Sequence, residues 1–270
     1  MRVGDTPTIM RASDYLDQLL AGDCFELMAR LPDASVDLIL CDLPYGTTRN
    51  KWDSVLDLER LWAEYRRIAK PTAAIVLTAA QPFTSVLVVS NLRNFKVEWI
   101  WSKTIGSGQL NINHQPLRTH ESVLVFYAKT PTYNAQMTSG APYAFTRKAD
   151  YEGPGYNKQR DVEVVNTGVR FPKTVLEVAN PRIKGGHPTQ KPVALFEYFI
   201  RTYSNPGDVV LDNCIGAGTT AVAAINTGRH FIGMELDPVY VAMARANIAA
   251  AAAAAATAAA AAAADEAPAD

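Results

Sequence analysis

Hydrophobic positions along this chain fall into short runs of two kinds. Runs with little polar interruption predict buried strands, and apolar residues that recur every three or four positions predict helices. The predicted strands are Val36–Cys41, Ala73–Thr78, Phe95–Trp101, Val123–Tyr127, Asp208–Asp212 and His230–Met234. The predicted helices are Leu56–Ala69, Pro82–Leu92, Val193–Tyr203, Thr219–Asn226 and a last one from Asp237 onward. Strands that alternate with helices indicate an α/β fold, with a mostly parallel sheet covered by helices on both faces.

Two segments interrupt this alternation. From Thr130 to Phe171 the chain is rich in Gly, Pro, Asn, Thr and Tyr without a sustained period, which predicts an inserted region of loops with at most a hairpin. From Ala249 to Ala264 it is alanine interrupted only by Thr257, which favours helix but offers no apolar stripe for docking. We therefore predict a single domain over residues 1–248, followed by a tail over 249–270 that is an exposed helix or disordered.

Composition excludes several classes of protein. The chain has 270 residues, 48% hydrophobic and 20% charged, as in ordinary globular domains. Outside the alanine tail no stretch approaches the roughly 20 apolar residues of a membrane span, and the first residues lack the apolar segment of a signal peptide. The 3 cysteines form no CxxC pair and the 4 histidines have no ligand spacing. We expect a cytoplasmic protein without a membrane segment, a disulfide framework or a metal.

Charge is unevenly distributed along the chain, although the net charge is −1. Between Trp101 and Lys191 there are 12 Lys and Arg against 6 Asp and Glu, whereas the rest of the chain has 14 against 21. A basic middle segment in an acidic protein indicates contact with a polyanion, although a solvated surface is the simpler alternative. The candidate residues for such contacts are Arg118, Arg147, Lys148, Lys158 and Arg160.

A glycine loop follows the predicted strand that ends at Asp212. Gly216 and Gly218 let a ligand approach the backbone, and Glu235, at the end of the next strand, is placed to bond ribose hydroxyls. The loop reads Gly-Ala-Gly rather than GxGxxG, and the extra carboxylate of Asp212 suits a cationic ligand better than a pyrophosphate. S-adenosylmethionine, which carries a sulfonium and an ammonium and no phosphate, fits this pattern. The alternative is an ordinary glycine-rich turn of an α/β protein.

A second chemical motif, Asp42-Leu43-Pro44-Tyr45, follows the strand Val36–Cys41 at the edge where open α/β sheets bind ligands. Asp42 and the Leu43 carbonyl can each accept a hydrogen bond from an exocyclic amino group, and Tyr45 offers a ring for stacking. When both amino hydrogens are hydrogen-bonded in this way, the nitrogen lone pair is directed toward a methyl donor. A capped turn without catalytic meaning is the alternative.

Several motifs together resemble those of DNA amino-methyltransferases. Asp42-Leu43-Pro44-Tyr45 resembles their [DNS]-P-P-[YFW] motif, and DNCIGAGTT over 212–220 resembles their D-P-F-x-G-S-G-T-T cofactor loop. HPTQKP over 187–192, and Gly22-Asp23 with VDLI over 36–39, resemble the flanking segments of the same enzymes. The catalytic motif precedes the cofactor loop, as in the circularly permuted β class, which methylates adenine N6 or cytosine N4. The resemblance covers about residues 20–130 and 180–248.

This resemblance implies a Rossmann-like methyltransferase sheet, S-adenosylmethionine as the donor and double-stranded DNA as the substrate. It gives Asp42, Pro44 and Tyr45 the catalytic roles, and residues 104–171 the role of a target-recognition region. The residues it places around the donor are Asp23, Asp42, Lys191, Asp212, Gly216, Gly218, Thr219 and Glu235, with Asp23 near the adenine ring and Glu235 near the ribose. A structural role for Lys191 is an equal alternative, and a homodimer is compatible with the pattern.

The chain departs from the family pattern at two places. Leu43 replaces a proline, but the main-chain carbonyl is retained, so activity is expected; Asn213-Cys214 replaces Pro-Phe, so weaker donor binding is expected. An aspartate at the first catalytic position favours adenine over cytosine. Competing hypotheses are a methyltransferase for RNA or a protein amide, and a DNA-binding relative without catalysis.

Overall fold

A computed structural model describes residues 8–46, 54–147, 161–180 and 190–265 of the chain. It forms two compact units, Met1–Asn134 together with Thr174–Asp270, and Ala135–Lys173. The helices are α1 (Ala12–Tyr15), α2 (Cys24–Met28), α3 (Leu58–Ile68), α4 (Phe83–Ser90), α5 (Val193–Tyr203), α6 (Thr219–Asn226) and α7 (Pro238–Asp265). The strands are β1 (Gln18–Ala21), β2 (Val36–Cys41), β3 (Ala69–Ala79), β4 (Phe95–Ser107), β5 (Arg118–Phe126), β6 (Thr138–Ser139), β7 (Tyr143–Arg147), β8 (Val162–Asn166), β9 (Val169–Arg170), β10 (Val175–Val178), β11 (Val209–Asp212) and β12 (His230–Glu235).

The larger unit is built on an 8-stranded sheet in the order β1-β12-β11-β2-β3-β5-β4-β10. Its strands pair in parallel except for β5, which runs antiparallel to both β3 and β4. The expected mostly parallel sheet is therefore confirmed. Strand β11 lies directly beside β2, so the glycine loop after β11 and the tetrapeptide after β2 start from neighbouring positions on one edge of the sheet.

Side chains of the central strands alternate between two hydrophobic cores. On β2, Ile39 and Cys41 enter the core that contains helices α2, α3 and α4, whereas Leu38 and Leu40 enter the core that contains α5 and α6. All four side chains are fully buried, as expected for a strand covered on both faces. The sheet is therefore packed between two layers of helices, which fixes the positions of the functional groups at its edge.

The start of helix α6 depends on a glycine that packs tightly against α7. Gly218 has φ +91, and a Cβ added there would lie 3.2 Å from the Cα of Ala244. We expect Gly218→Ala to lower the free energy of unfolding by about 1–3 kcal/mol, because it adds left-handed strain to a close approach between helices.

Urea unfolding measures this loss, and Gly228→Ala is the matched control. Gly228 also has a positive φ, +71, but open space surrounds its missing Cβ. The control should therefore report backbone strain alone and lose less stability. Equal losses in the two variants would contradict the packing role of Gly218.

The described residues of the smaller unit form two short antiparallel ladders, β6 with β9 and β7 with β8. Tyr143 and Phe145 stack on one another at 5.7 Å on β7 and are 44% and 50% exposed. The guanidinium of Arg170 lies 4.6 Å from the ring centroid of Tyr143. This unit falls in the part of the chain predicted to consist of loops with at most a hairpin, and the structure has two ladders there.

Helix α7 continues into the alanine segment as far as Asp265. Val241 and Ala244 are buried near its start, whereas most of the following alanines that the structure describes are exposed. Within α7, Pro238–Ala262 is long and apolar enough to cross a membrane by length and composition alone, and only 17% of its most apolar stretch is buried. That the chain has no membrane segment stays a prediction.

Candidate active site

A cavity of about 890 Å³ opens at the carboxyl ends of β2, β11 and β12. Most of the residues predicted for the site line this cavity: Asp23, Asp42, Pro44, Tyr45, Lys191, Asp212, Gly216, Thr219, Glu235 and Arg118. Gly218 does not line it and instead packs against α7. The sheet thus brings the tetrapeptide and the glycine loop, far apart in sequence, to one cavity.

One part of the cavity is lined by carboxylates that are held by backbone amides. Glu235 accepts hydrogen bonds from the amides of Gly216 at 2.9 Å and Asp237 at 2.8 Å, one on each oxygen. Asp23 caps helix α2 by accepting from the amides of Phe25 and Glu26 at 2.9 and 3.1 Å. Glu235 keeps a second lone pair on each oxygen, and both bonds to Asp23 use its Oδ1, so these fixed acids can still accept hydrogen bonds from a ligand.

Asp212 is the most deeply buried of these acids, at 2% exposure. It accepts hydrogen bonds from the amide of Cys214 and from the hydroxyl of Thr220. Burial raises the pKa of Asp212 to about 6, and these hydrogen bonds offset only part of that effect. A cationic ligand would favour the ionised form of this acid, since an opposite charge nearby lowers the pKa of a carboxyl.

The departure at Asn213 has a structural explanation. Its side chain is buried, and its Oδ1 accepts a hydrogen bond of 2.5 Å from the hydroxyl of Tyr65 on α3. Cys214 follows it and lines the cavity. This hydrogen bond ties the glycine loop to α3, so the loop is anchored without the family's proline.

Asp42 lines the cavity just after the end of β2, with both oxygens engaged. Its Oδ1 accepts from the hydroxyls of Tyr45, at 2.8 Å, and Thr78. Its Oδ2 accepts from the ammonium of Lys191 at 2.6 Å. A carboxylate offers about four acceptor positions, so one on Oδ2 is left for a further donor. The residue is 24% exposed and can be reached from the cavity.

Lys191 is 6% exposed and lies between two carboxylates. Its Nζ is 2.6 Å from Asp42 and 3.4 Å from Glu121, and Glu121 also pairs with Lys103. Burial opposes the charged form of Lys191, but the two carboxylates outweigh it and raise the pKa of the side chain. The ammonium therefore stays charged, and a donor-binding role for Lys191 stays a prediction beside this ion pair.

Tyr45 is held on several sides. Its ring stacks on Phe83 with centroids 5.4 Å apart, and the Nζ of Lys191 lies 5.3 Å from its centroid. Its hydroxyl, bonded to Asp42, has a pKa well above the usual value, because burial and the nearby Asp42 and Glu121 disfavour a phenolate. Tyr45 is thus a neutral donor to Asp42, and its stacking on a substrate base stays a prediction.

Two of the cysteines, Cys24 and Cys41, are buried beside the site and are poor nucleophiles. Burial raises the pKa of Cys41 to about 12, and a hydrogen bond with Cys214, together with burial, raises that of Cys24 further. Both thiols are therefore protonated at neutral pH and unreactive. Among the residues that the structure describes, no group of His, Cys, Asp and Glu has an arrangement that could hold a metal ion.

The sequence analysis did not single out Thr78, Glu121 and Lys103. Thr78 contacts Asp42, Glu121 contacts Lys191, and Lys103 pairs with Glu121. Thr78 gave a signal, since it ends a predicted strand at the ligand-binding edge. Glu121 gave none, because β5 was expected to begin at Val123. That strand is antiparallel, so its start, rather than its end, lies at the cavity edge.

The predicted DNA-contacting residues divide into three groups. Arg118 is exposed and lines the cavity at the start of β5. Arg147 is exposed at the end of β7 in the smaller unit. Lys148, Lys158 and Arg160 lie outside the described residues, as do the first three residues of the HPTQKP segment.

Comparisons with known proteins agree with this geometry. The chain is 30% identical over 260 residues to the DNA adenine methyltransferase YhdJ of Escherichia coli (strain K12), a match that covers 90% of this chain and 85% of that protein. The crystal structure of an M1.HpyAVI–SAM complex is similar with a TM-score of 0.58 and 26% identity, over 86% of this chain and 98% of that one.

A third similarity concerns the fold alone. The PvuII DNA methyltransferase, which is cytosine-N4-specific, matches with a TM-score of 0.62 and 18% identity, over 90% of this chain and 89% of that one. A model of the N6/N4 DNA methylase family matches residues 36–246, which include the tetrapeptide, Lys191 and the glycine loop. With its methyltransferase-like sheet and the two motifs at one cavity, this chain belongs to the N6/N4 DNA methylase family.

Proposed function

We propose that this protein transfers a methyl group from S-adenosylmethionine to the exocyclic amino group of a base flipped out of duplex DNA, with adenine N6 as the target. The observation that carries the proposal is the shared cavity. Asp42-Leu43-Pro44-Tyr45 lies at the end of β2, and the glycine loop lies at the end of the adjacent β11. A donor and an acceptor can therefore meet over the same sheet edge.

The residues at the glycine loop fit S-adenosylmethionine. The cavity volume of about 890 Å³ lies within the range of ligand sites, roughly 300–1,000 Å³. Asp23, Asp212 and Glu235 provide carboxylates for the ammonium and hydroxyl groups of this molecule. These acids would repel a phosphate, which argues against a dinucleotide. When bound, S-adenosylmethionine supplies a methyl group made electrophilic by its sulfonium.

The acceptor side fits an amino group on a planar ring. The fourth acceptor position of Asp42 and the carbonyl of Leu43 would each accept a hydrogen bond from the amino group. Tyr45 would contact the ring. The amino nitrogen bonds to the methyl carbon as the carbon–sulfur bond breaks, with the electron pair staying on sulfur. The nitrogen is then cationic until a proton leaves to water. Positioning and fixed charges would supply most of the rate.

Duplex DNA encloses the amino group, so the base must leave the stack before it reaches Asp42. Adenine is favoured by the aspartate at the first position and by the similarity to a DNA adenine methyltransferase. The motif order along the chain supports the circularly permuted β class, with residues 104–171 as the target-recognition region. A cytoplasmic location and a homodimer fit this function and stay predictions.

Expression in a bacterial host that lacks DNA methylation tests the choice of base. Genomic DNA is isolated, digested to nucleosides and analysed by mass spectrometry, and sequencing of the same DNA gives the recognition motif. N6-methyladenine is the expected product. N4-methylcytosine would overturn the choice of base, and unmodified DNA from a host that contains the folded protein would favour the inactive DNA-binding relative.

Arg118 is expected to contact a DNA phosphate beside the cavity. Arg118→Ala should weaken duplex binding and reduce the slope of log affinity against log salt by about 1, because one counterion fewer is released. Fluorescence anisotropy over a salt series measures both quantities. Arg11→Ala, which removes an 85% exposed arginine side chain that does not line the cavity, is the control. An unchanged slope for Arg118→Ala would remove this residue from the interface.

A further inference from the structure

Four charged side chains form a chain of contacts beside the acceptor position. Asp42 pairs with Lys191 at 2.6 Å, Lys191 with Glu121 at 3.4 Å, and Glu121 with Lys103. The side chains of Lys191, Glu121 and Lys103 are 6%, 14% and 9% exposed, so water screens their charges weakly. With two acids and two lysines, the cluster is formally neutral.

The position of Lys191 poses an electrostatic problem for the proposed reaction. Its ammonium occupies the oxygen of Asp42 that has an acceptor position left for the substrate amino group. An amino group bound there would lie next to this ammonium. Since the amino nitrogen becomes cationic during methyl transfer, an adjacent fixed positive charge would oppose the reaction.

Glu121 offers a solution because it is a second anion within reach of the same ammonium. A shift of Lys191 toward Glu121 would free Asp42 Oδ2 and keep the lysine paired. Glu121 also balances Lys103, which would otherwise leave the cluster with a net positive charge. On the proposed function, we infer that Glu121 is a positioning residue that draws Lys191 away from Asp42 when the target amino group binds, and keeps the cluster neutral during transfer.

Substitution of Glu121 by its neutral isostere tests this inference. Glu121→Gln should lower the single-turnover rate of methyl transfer, at saturating donor and DNA, by about 10- to 100-fold. This is less than the roughly 100- to 1,000-fold for loss of a group that contacts the reacting atoms, because Glu121 acts through Lys191. The dissociation constants of donor and DNA should change less than about threefold, because Glu121 acts on the transfer step. Glu98→Gln is the matched control, since Glu98 lies on the neighbouring strand, bonds Ser122 at 2.7 Å and does not line the cavity.

A second substitution separates positioning through Lys191 from any other role of Glu121. In the Glu121→Gln background, Lys191→Met removes the ammonium that Glu121 is inferred to hold, and the transfer rate should rise above that of Glu121→Gln alone. A double variant as slow as Glu121→Gln, or slower, would overturn the inference, as would a Glu121→Gln rate equal to that of the unmodified protein.

Thermal melting establishes that each variant folds. Should Glu121→Gln not fold, Lys103→Met provides the test, because it leaves Glu121 free to attract Lys191. Its transfer rate should equal or exceed that of the unmodified protein, and a tenfold fall would contradict the inference. Absence of transfer by the unmodified protein would instead refute the proposed function, so the two failures are distinguishable.

Discussion

Asp42→Ala is expected to lower the rate of methyl transfer to DNA by at least about 1,000-fold, within the range for loss of a catalytic group. The family motif allows Asp, Asn or Ser at this position, and alanine removes every side-chain oxygen that could accept a hydrogen bond from the target amino group. Lys191 keeps Glu121 as a partner 3.4 Å away, so the fold should persist. Single-turnover kinetics with tritiated donor measures the rate.

Donor binding by Asp42→Ala should stay within about threefold of the unmodified protein, since the acids at the glycine loop are untouched. Isothermal titration calorimetry measures this affinity. Asp33→Ala is the control, because Asp33 is 77% exposed at the opposite end of β2 and pairs with Arg67 there. Methyl transfer retained by Asp42→Ala would refute the assignment of the catalytic carboxylate.

Asp212→Asn is expected to weaken donor binding by about 2–4 kcal/mol, roughly 30- to 1,000-fold, as for loss of one partner of a buried charge pair. The unmodified protein should show a related pH dependence. The pKa of Asp212 is raised by burial to about 6, so the carboxyl becomes neutral as the pH falls through 6. Donor affinity should then fall by up to about tenfold for each further pH unit.

The variant itself provides the key comparison, because its affinity should change little with pH over the same window. Asp208→Asn is the matched control, since Asp208 lies just before β11, at the end away from the cavity, and bonds the Asn205 amide. Donor affinity of the unmodified protein that is constant between pH 7 and 5 would contradict the proposed pairing of Asp212 with a cationic group.

Elements with a strong local pattern could be predicted closely from the sequence. The bounds of β2, α5 and α6 agree with prediction residue for residue, because each is a continuous or periodic apolar run between clear breaks. Strand β1 and helix α2 were missed, since 4 and 5 residues are too few to show a period. Strands β4 and β5 are longer than predicted. They remain hydrogen-bonded to each other beyond the buried apolar residues on which the prediction was based.

Motif residues in the candidate site could be predicted, but their mutual contacts could not. Asp42 and Asp212 follow strands at the ligand-binding edge, which a local pattern reveals. The bond from Lys191 to Asp42 joins residues 149 positions apart, and it depends on the packing of α5 against the sheet. For Gly218 the motif was misleading about location. This residue belongs to the cofactor motif, but it packs helix α6 against α7 and does not line the cavity.

Transfer of tritium from methyl-labelled S-adenosylmethionine tests the proposed DNA methyltransferase activity most directly. The purified protein is offered unmethylated duplex DNA, RNA and protein in parallel, and labelled nucleosides are separated by chromatography. We predict label in duplex DNA alone, on N6-methyladenine, and none when Asp42→Ala replaces the unmodified protein. Label in RNA or protein, or no label in DNA although the donor binds, would contradict it.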